Sequence, residues 1–522
     1  MSAVVTDQFR IANATSFVES VLNDANSYYV FLGLPNPTVA GFGRTSTAND
    51  WPLAPVDNLS YQTHYRDTMM FGKKVTSANI RRVVKKHTWV SNQRYDMYRH
   101  DYDATNLAPN SKTTNLYRSN YYVINSNFQV YICISNGSSG EPGSTSAKGK
   151  RSNVEPTFTD VEPITQSDGY TWKYLFTVSP SDVIKFDSTE YIVLPNDWSI
   201  TTDSQIKSVR ESGNSTINKN QIKEVYIKNP GITGSYTTGT TTLDILGDGI
   251  GAKVSVTVAS TGIIESTKVV SGGSGYTYGI VDLSSLQKPG NASGLGALIP
   301  IIPPSLGHGH DIYKELGGDK VLIYARFDDS SKDFPVDTSF AQVGIIKNPQ
   351  KSTTTDIYKA NEFSSLDSFK ITSSLSESVK NYAGVEIEQS VGTDKAKGYI
   401  ASYDTDTRIV KYFQDRSLFF LDKYNHIDGL DVATRAKVVK FKGDQNVTVS
   451  STSPQSVSID TNLSGITTTV NNKIINLGVE YTNGVSVPEI NKKTGDIIYI
   501  TNRSTVQRDL RQKEDIKIIL EF

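Results

Sequence analysis

The chain has 522 residues, enough for about three or four domains of roughly 150 residues each. A composition of 37% hydrophobic and 20% charged residues supports packed cores and excludes wholesale disorder, while Lys+Arg 53 against Asp+Glu 54 supplies no general attraction for nucleic acid or an anionic membrane. The single cysteine, Cys133, excludes an intramolecular disulfide framework and a cysteine-clustered zinc site.

The opening residues Met1 to Arg10 lack a basic n-region and an apolar core, so no secretory signal is expected. The longest apolar stretch, Ala297 to Pro304, is short and broken by prolines, so no membrane span is expected either. Asn-x-Ser/Thr triplets at Asn58, Asn214 and Asn446 then read as products of composition in a protein kept in a reducing cytosol.

Thr6 is placed to cap a helix over residues 6–22, with Ile11, Ala14, Val18, Val21 and Leu22 on one face. Residues 27–33 read as a buried strand, ended by Pro35 and Pro37. An irregular segment over about 38–60 precedes a basic strand or helix near Lys73 to Lys86.

From Tyr121 onward the pattern is β. Residues 121–124 and 128–134 flank a polar turn at Asn125 to Asn127, and a Gly/Ser/Pro-rich loop covers about 136–153. Tyr170, Trp172, Tyr174 and Phe176 alternate along one strand face, and residues 191–194 form a strand stopped by Pro195.

Residues 220–300 carry an internal repeat. Tyr226 to Gly231 and Gly234 to Thr237 are echoed by Lys268 to Gly273 and Gly275 to Thr277. Each copy runs into a glycine motif, Gly249-Ile250-Gly251-Ala252 and Gly294-Leu295-Gly296-Ala297. Two copies predict a small two-fold β module, too few for a solenoid. A second compact β segment spans about 361–490, with a hairpin of residues 398–403 and 408–413 around Asp404 to Thr407. Strands at 496–500 and 516–522 close the chain.

Few residues carry chemistry. His308, His310 and Asp311 in Gly307-His308-Gly309-His310-Asp311 have metal-ligand character, but the other histidines (His64, His87, His100, His426) supply no second pair. A glycine-hinged loop with its histidines on backbone carbonyls is the simpler expectation. Gly247-Asp248-Gly249-Ile250-Gly251 lacks the Lys-Ser/Thr of a phosphate loop and reads as a turn. Asp101-Tyr102-Asp103 and Asp404-Thr405-Asp406 lack the later glycine and glutamate of a calcium loop, and read as hairpin turns. Lys73, Lys74, Arg81, Arg82, Lys85 and Lys86 read as a solvated face or a contact for an acidic partner. No catalytic, cofactor-binding or metal residues are therefore assigned, and the chain is expected not to be an enzyme.

Longer strings carry a resemblance. Thr6 to Arg10, Tyr29-Val30-Phe31 leading to Gly41-Phe42-Gly43-Arg44, Val130 to Cys133 and Asp168 to Phe176 resemble a baseplate wedge subunit of T-even-like contractile phages. So do Glu190 to Pro195, Gly495 to Arg503 and Gln512 to Leu520, while Gly307 to His310 resembles longer cyanophage relatives. The resemblance implies a non-enzymatic homodimer in the virion tail baseplate, with a mainly β, multidomain fold: a layered β-sandwich core with inserted small β domains. Residues 1–205 would be the family-like half, 206–305 an inserted repeat module, 306–360 a return to the core, 361–490 an inserted barrel or sandwich, and 491–522 the closing core strands. It further implies contacts with other baseplate wedge and peripheral tail proteins, without nucleic acid, membrane or cofactor. The alternative is a tail-associated carbohydrate-binding or glycan-degrading protein, whose aromatics would have to line an exposed groove.

Overall fold

The structure, a computed structural model, describes residues 5–33, 59–212, 220–290, 295–327, 339–376, 384–414, 438–466, 469–470, 473–474, 480–507 and 512–522. The expectations for Pro35 and Pro37, Gly41 to Arg44, the irregular segment up to residue 58, Asn58, Asn214, Gly294 and His426 lie outside these. The fold is mainly β, in several sheets. It divides into two units: residues 1–18, 81–322 and 518–522 form one, and 19–80 with 323–517 the other.

The first helix is Asp7–Leu22, and Thr6 caps it by accepting the Phe9 N–H on its hydroxyl at 3.3 Å. Ile11, Ala14, Val18 and Val21 are buried at helical spacing, but Leu22, in the last turn, is exposed.

In the first unit, an antiparallel sheet runs in the order Tyr122–Ile124, Gln129–Ser135, Thr171–Thr177, Ile164–Thr165. A separate sheet, not confined to the first unit, has the order Glu514–Glu521, Lys320–Phe327, Ile80–Lys85, Tyr191–Val193, so the C-terminal strand is paired rather than left as a free edge. The last residue is held as well, the Phe522 N–H donating to Asp319 O at 3.2 Å and its ring meeting Phe17 at 5.4 Å.

The repeat forms a ring of six strands. The first copy supplies Val225–Asn229, Gly239–Gly247 and Ile250–Val258, the second Ile264–Ser274, Gly279–Val281 and Ala297–Pro300. The third strand of each copy pairs with the first strand of the other, and the two middle strands pair with each other. The first strands lie side by side, joined by the Thr267 hydroxyl donating to Val225 O at 2.7 Å. Exchanging the copies maps every one of these neighbours onto another, so the module has the two-fold symmetry read from the repeat. Along Ile250–Val258, Ala252, Val254, Val256 and Val258 point into the core while Lys253 faces solvent, the alternation of a one-sided strand.

The second unit holds a five-stranded antiparallel sheet in the order Glu362–Ser364, Met69–Lys74, Tyr28–Gly33, Ser339–Lys347, Asp496–Gln507. One cross-strand row reads Phe363, Gly72, Phe31, Gly344, Ile500. A Cβ on Gly72 would lie 2.2 Å from the Phe363 ring and one on Gly344 2.4 Å from the Phe31 ring, so the rings occupy the space that glycine leaves. The unit also contains a curled sheet in which Gln455–Val457, Val447–Val449, Glu386–Val391, Asp394–Asp404, Ile409–Phe413 and Asp367–Lys370 follow one another. An antiparallel bridge between Ile371 and Ile459 joins its first strand to its sixth, closing a barrel around Phe369, Ile387, Ile400, Tyr412 and Val447. The expected hairpin turns at Asp404, which accepts the N–H groups of Asp406 and Thr407.

The expected single basic element at residues 73–86 is two strands, Met69–Lys74 and Ile80–Lys85. They are separated by a short 3-10 turn at Ser77–Asn79.

Candidate functional site

Three groups of residues bear on function: the aromatic strand, the glycine–histidine loop and the basic run. Tyr170, Trp172, Tyr174 and Phe176 are all buried. Tyr170 and Trp172 stack at 5.4 Å between ring centroids, Tyr95 meets Trp172 at 5.7 Å, and Tyr174 meets Tyr131 at 5.7 Å. Tyr170, Trp172 and Tyr174 fill a core and line no groove. A register shift beside Val130 turns Phe176 to the opposite face, against Trp198 at 6.1 Å, so the expected single face of four rings is a face of three.

The opposite face of that strand is closed too, which alternation alone does not predict. Lys173 is 0% exposed, and its ammonium donates to Val161 O at 2.6 Å and to Ser212 Oγ at 3.0 Å. Ser212 follows the helix Ser204–Glu211, whose Asp203 cap holds the N–H groups of Gln205 and Ile206. Burial, reinforced by the nearby Lys223 ammonium, lowers the Lys173 pKa to about 8. Lys223 itself pairs with Glu162 at 2.5 Å. Burial likewise pushes the Glu224 carboxyl up to about 7, against the pull of hydrogen bonds from Ser135 and the Val225 N–H.

In the Gly307–Asp311 loop the three metal-type residues diverge. His308 is 2% exposed, with Nδ1 2.5 Å from Glu315 Oε1 and its ring edge-on to Tyr98 at 4.7 Å. The other Glu315 oxygen accepts the Gly309 N–H at 2.6 Å. His310 Nδ1 lies 3.4 Å from Arg210 O, the carbonyl contact expected for both histidines. His308 instead has a carboxylate partner seven residues on. Asp311 caps the helix Ile312–Leu316 through the N–H groups of Tyr313 and Lys314. The Trp198 indole N–H fixes the loop from outside by donating to Gly309 O at 3.0 Å and His310 O at 3.1 Å. The loop is a buried brace. Among the described residues no three His, Cys, Asp or Glu side chains converge as a metal would require.

Gly247 to Gly251 form the turn between two strands of the repeat ring, with Asp248 accepting the Thr277 N–H at 2.9 Å. Asp103 forms a local turn with Thr105 and Asn106, and Asp101 pairs with Arg99 at 2.6 Å. That segment is a loop rather than the expected hairpin. Cys133 is buried, which raises its thiol well above the ordinary range and leaves it unreactive.

The basic run is spent on internal contacts. Lys73 pairs with Glu362 at 3.1 Å, Arg81 with Asp182 at 2.8 Å and Lys86 with Asp187 at 3.5 Å. Lys74 donates to Lys359 O at 3.1 Å, and buried Arg82 stacks 3.3 Å from the centre of the Tyr313 ring. Lys85 remains exposed, so the six cations make no single face.

The sequence model of the family described as Bacteriophage T4, Gp8 matches residues 132–231. Baseplate wedge protein gp8 of Enterobacteria phage T4 is 26% identical over 211 residues, covering 37% of this chain and 60% of that protein. The chain thus matches over three fifths of the length of this curated relative. The resemblance read from the sequence to a baseplate wedge subunit agrees with both similarities. Tyr170, Trp172 and Lys173, and the strand Thr171–Thr177, fall inside the matched residues.

Proposed function

We propose that the chain is a structural, non-enzymatic subunit of a contractile phage tail baseplate wedge, resident in the virion. One observation carries the reading: the segment similar to Gp8, residues 132–231, holds the whole buried aromatic strand and the second half of its sheet partner Gln129–Ser135, so the likeness falls on a packed core. Its histidine loop and basic run, the two features with chemical character, are consumed in bracing the fold. In this role the chain acts as a homodimer that bridges central wedge proteins and peripheral fibre-associated proteins. The repeat ring, and the barrel of the second unit, are additions in sequence to the family-like segments. Protein–protein faces then do the work, and rigid sheets pass rearrangement from one neighbour to the next when the tail contracts.

Mass spectrometry of dissociated tail particles, with sedimentation of the purified chain, tests this. The expected result is the chain in baseplate fractions at a fixed even stoichiometry and a dimer in solution. Absence from tails, or turnover of a glycan substrate by the purified chain, overturns it.

A further inference from the structure

We propose that a basic depression in the first unit is a docking site for an acidic peptide segment of a neighbouring protein. The depression has a volume of about 530 Å³, and four cations line it: Arg94, Lys112, Lys148 and Arg151. Asn92 and Asn110 also line it, the Asn110 amide being spent on Tyr95 O and Lys148 O. Carboxylates are absent from its lining.

Elsewhere cations of this near-neutral chain are repeatedly matched to acids: Lys228 to Glu141, Lys370 to Asp460, Arg326 to Asp515, Lys397 to Glu386. Among the described residues, none of the four in the depression has a carboxylate partner. The two arginines are held in place by backbone: Arg94 Nε donates to Gly149 O at 3.2 Å and Arg151 Nη1 to Asn92 O at 2.7 Å. Each guanidinium keeps further N–H donors for an incoming carboxylate, already oriented. Among the described residues the ends of Lys112 and Lys148 make no bond, and both residues are exposed.

The supporting turn is fixed from below. Asp96, buried, accepts the N–H groups of Asn110 at 2.8 Å and Ser111 at 3.0 Å, and Asn110 donates to Lys148 O at 3.1 Å. The Asp96 charge is thus consumed beneath the site rather than offered at its surface. Four unpaired cations on a rigid frame suit an extended run of Asp or Glu side chains. A nucleic acid fits less well, because the lining holds no aromatic on which a base could stack and the chain's net charge of -1 gives no long-range attraction.

That the occupant is a protein rests on the assembly role proposed above. The experiment uses the isolated full chain, so its outcome is independent of whether the chain is found in tails. Fluorescence anisotropy would follow labelled hexaglutamate, hexaglutamine and a short single-stranded oligonucleotide. Variants are Lys112→Asn, which tolerates the positive φ of that residue, and Lys148→Glu, with Lys207→Glu as a distant surface control. Saturable binding of hexaglutamate alone is expected, weakened about tenfold by raised salt and about tenfold or more by the double variant. The control should bind as the parent does. No saturable hexaglutamate binding, equal loss in the control, or tighter binding of the oligonucleotide overturns the proposal.

Discussion

The Tyr236 hydroxyl, in the first copy of the repeat, accepts the backbone N–H of Gly296, in the glycine motif of the second, at 2.6 Å. The reciprocal bond exists: the Tyr276 hydroxyl of the second copy accepts the Ala252 N–H of the first at 3.2 Å and donates to Ile245 O at 2.9 Å. Each copy therefore satisfies a backbone group in the other, and neither would be complete alone. The glycines keep room for the rings, since a Cβ on Gly249 would lie 2.3 Å from the Tyr276 ring.

Tyr276→Phe should therefore cost about 1–2 kcal/mol, by leaving the buried Ala252 N–H and Ile245 O without that hydroxyl. Gly249→Ala should cost about 1–3 kcal/mol through overpacking against the ring. Denaturant titrations of both variants check this, and an unchanged midpoint for Gly249→Ala would show that the ring can move aside.

Glu224 sets a pH dependence. In the folded chain it holds its proton up to about pH 7, whereas an ordinary glutamate releases it near 4.5. Between these values the folded state binds more protons than the unfolded one, so stability falls as pH rises through this window and levels off above it. Glu224→Gln should remove that fall and raise stability at pH 8 by up to about 3 kcal/mol. Thermal unfolding of both proteins from pH 5 to pH 8 measures the difference.

Lys173 has the opposite sign. Its folded pKa of about 8 lies below the ordinary 10.5, so the unfolded chain binds more protons in between and stability rises with pH across that interval. Lys173→Met should abolish the rise while keeping the fold at pH 7, because removing the desolvated ammonium offsets the cost of about 1–3 kcal/mol for leaving Val161 O and Ser212 Oγ without that donor. Urea unfolding at pH 7 and pH 9.5 is the check, and a rise that persists in the variant assigns it to another group.

Much of this architecture was legible in the chain. The repeat was readable because its glycine and tyrosine positions recur in order, and the hairpin at Asp404 because its turn chemistry is local. What sequence could not show depends on distant partners. Lys173 occupies a nominally polar position of an alternating strand, and its burial is made tolerable by Val161 O, 12 residues before it, and Ser212, 39 residues on. Glu315 gives no sign in the sequence that it will meet His308, because a loop and a helix start must first bring them together. The basic run misled for a related reason: its residues belong to two strands on either side of Ser77–Asn79, each with its own acidic neighbours. The basic depression is drawn from three loop positions, Arg94, Lys112 and Arg151, and the end of the 3-10 turn Ser146–Lys148, with no local motif.

The C-terminal strand should be indispensable. Arg326 grips Asp515 with two bonds, Nε at 2.6 Å and Nη2 at 2.8 Å, and Lys320 reaches Glu521 at 2.9 Å. Deleting residues 516–522 exposes the edge of Lys320–Phe327, a row of unpaired backbone groups that invites aggregation. The truncated chain should be insoluble on expression, and soluble material with the parent melting profile would contradict this.

The repeat ring should be removable without loss of the remaining fold. Its entering and leaving strands are antiparallel neighbours, with Val225 opposite Pro300 and the Ile301 N–H donating to Glu224 O at 2.9 Å. A short Gly/Ser bridge can therefore replace residues 222–301 without stretching the chain. This cut spares the helix Ser204–Glu211 and Ser212, so Lys173 keeps its partner and the aromatic strand keeps its cover. It also spares Ser135 and removes Glu224, taking the destabilising carboxyl away together with its environment. What it exposes is the loop carrying Gly140, which donates its N–H to Ile227 O at 2.8 Å and accepts from the Tyr226 hydroxyl at 2.9 Å. Those groups become solvated by water, at a cost of about 1 kcal/mol each. The excised chain should be soluble and sediment as the parent does, and residues 220–303 alone should unfold cooperatively around their own closed core. A monomeric product would move self-association onto the ring, and an insoluble one would make the ring part of the core.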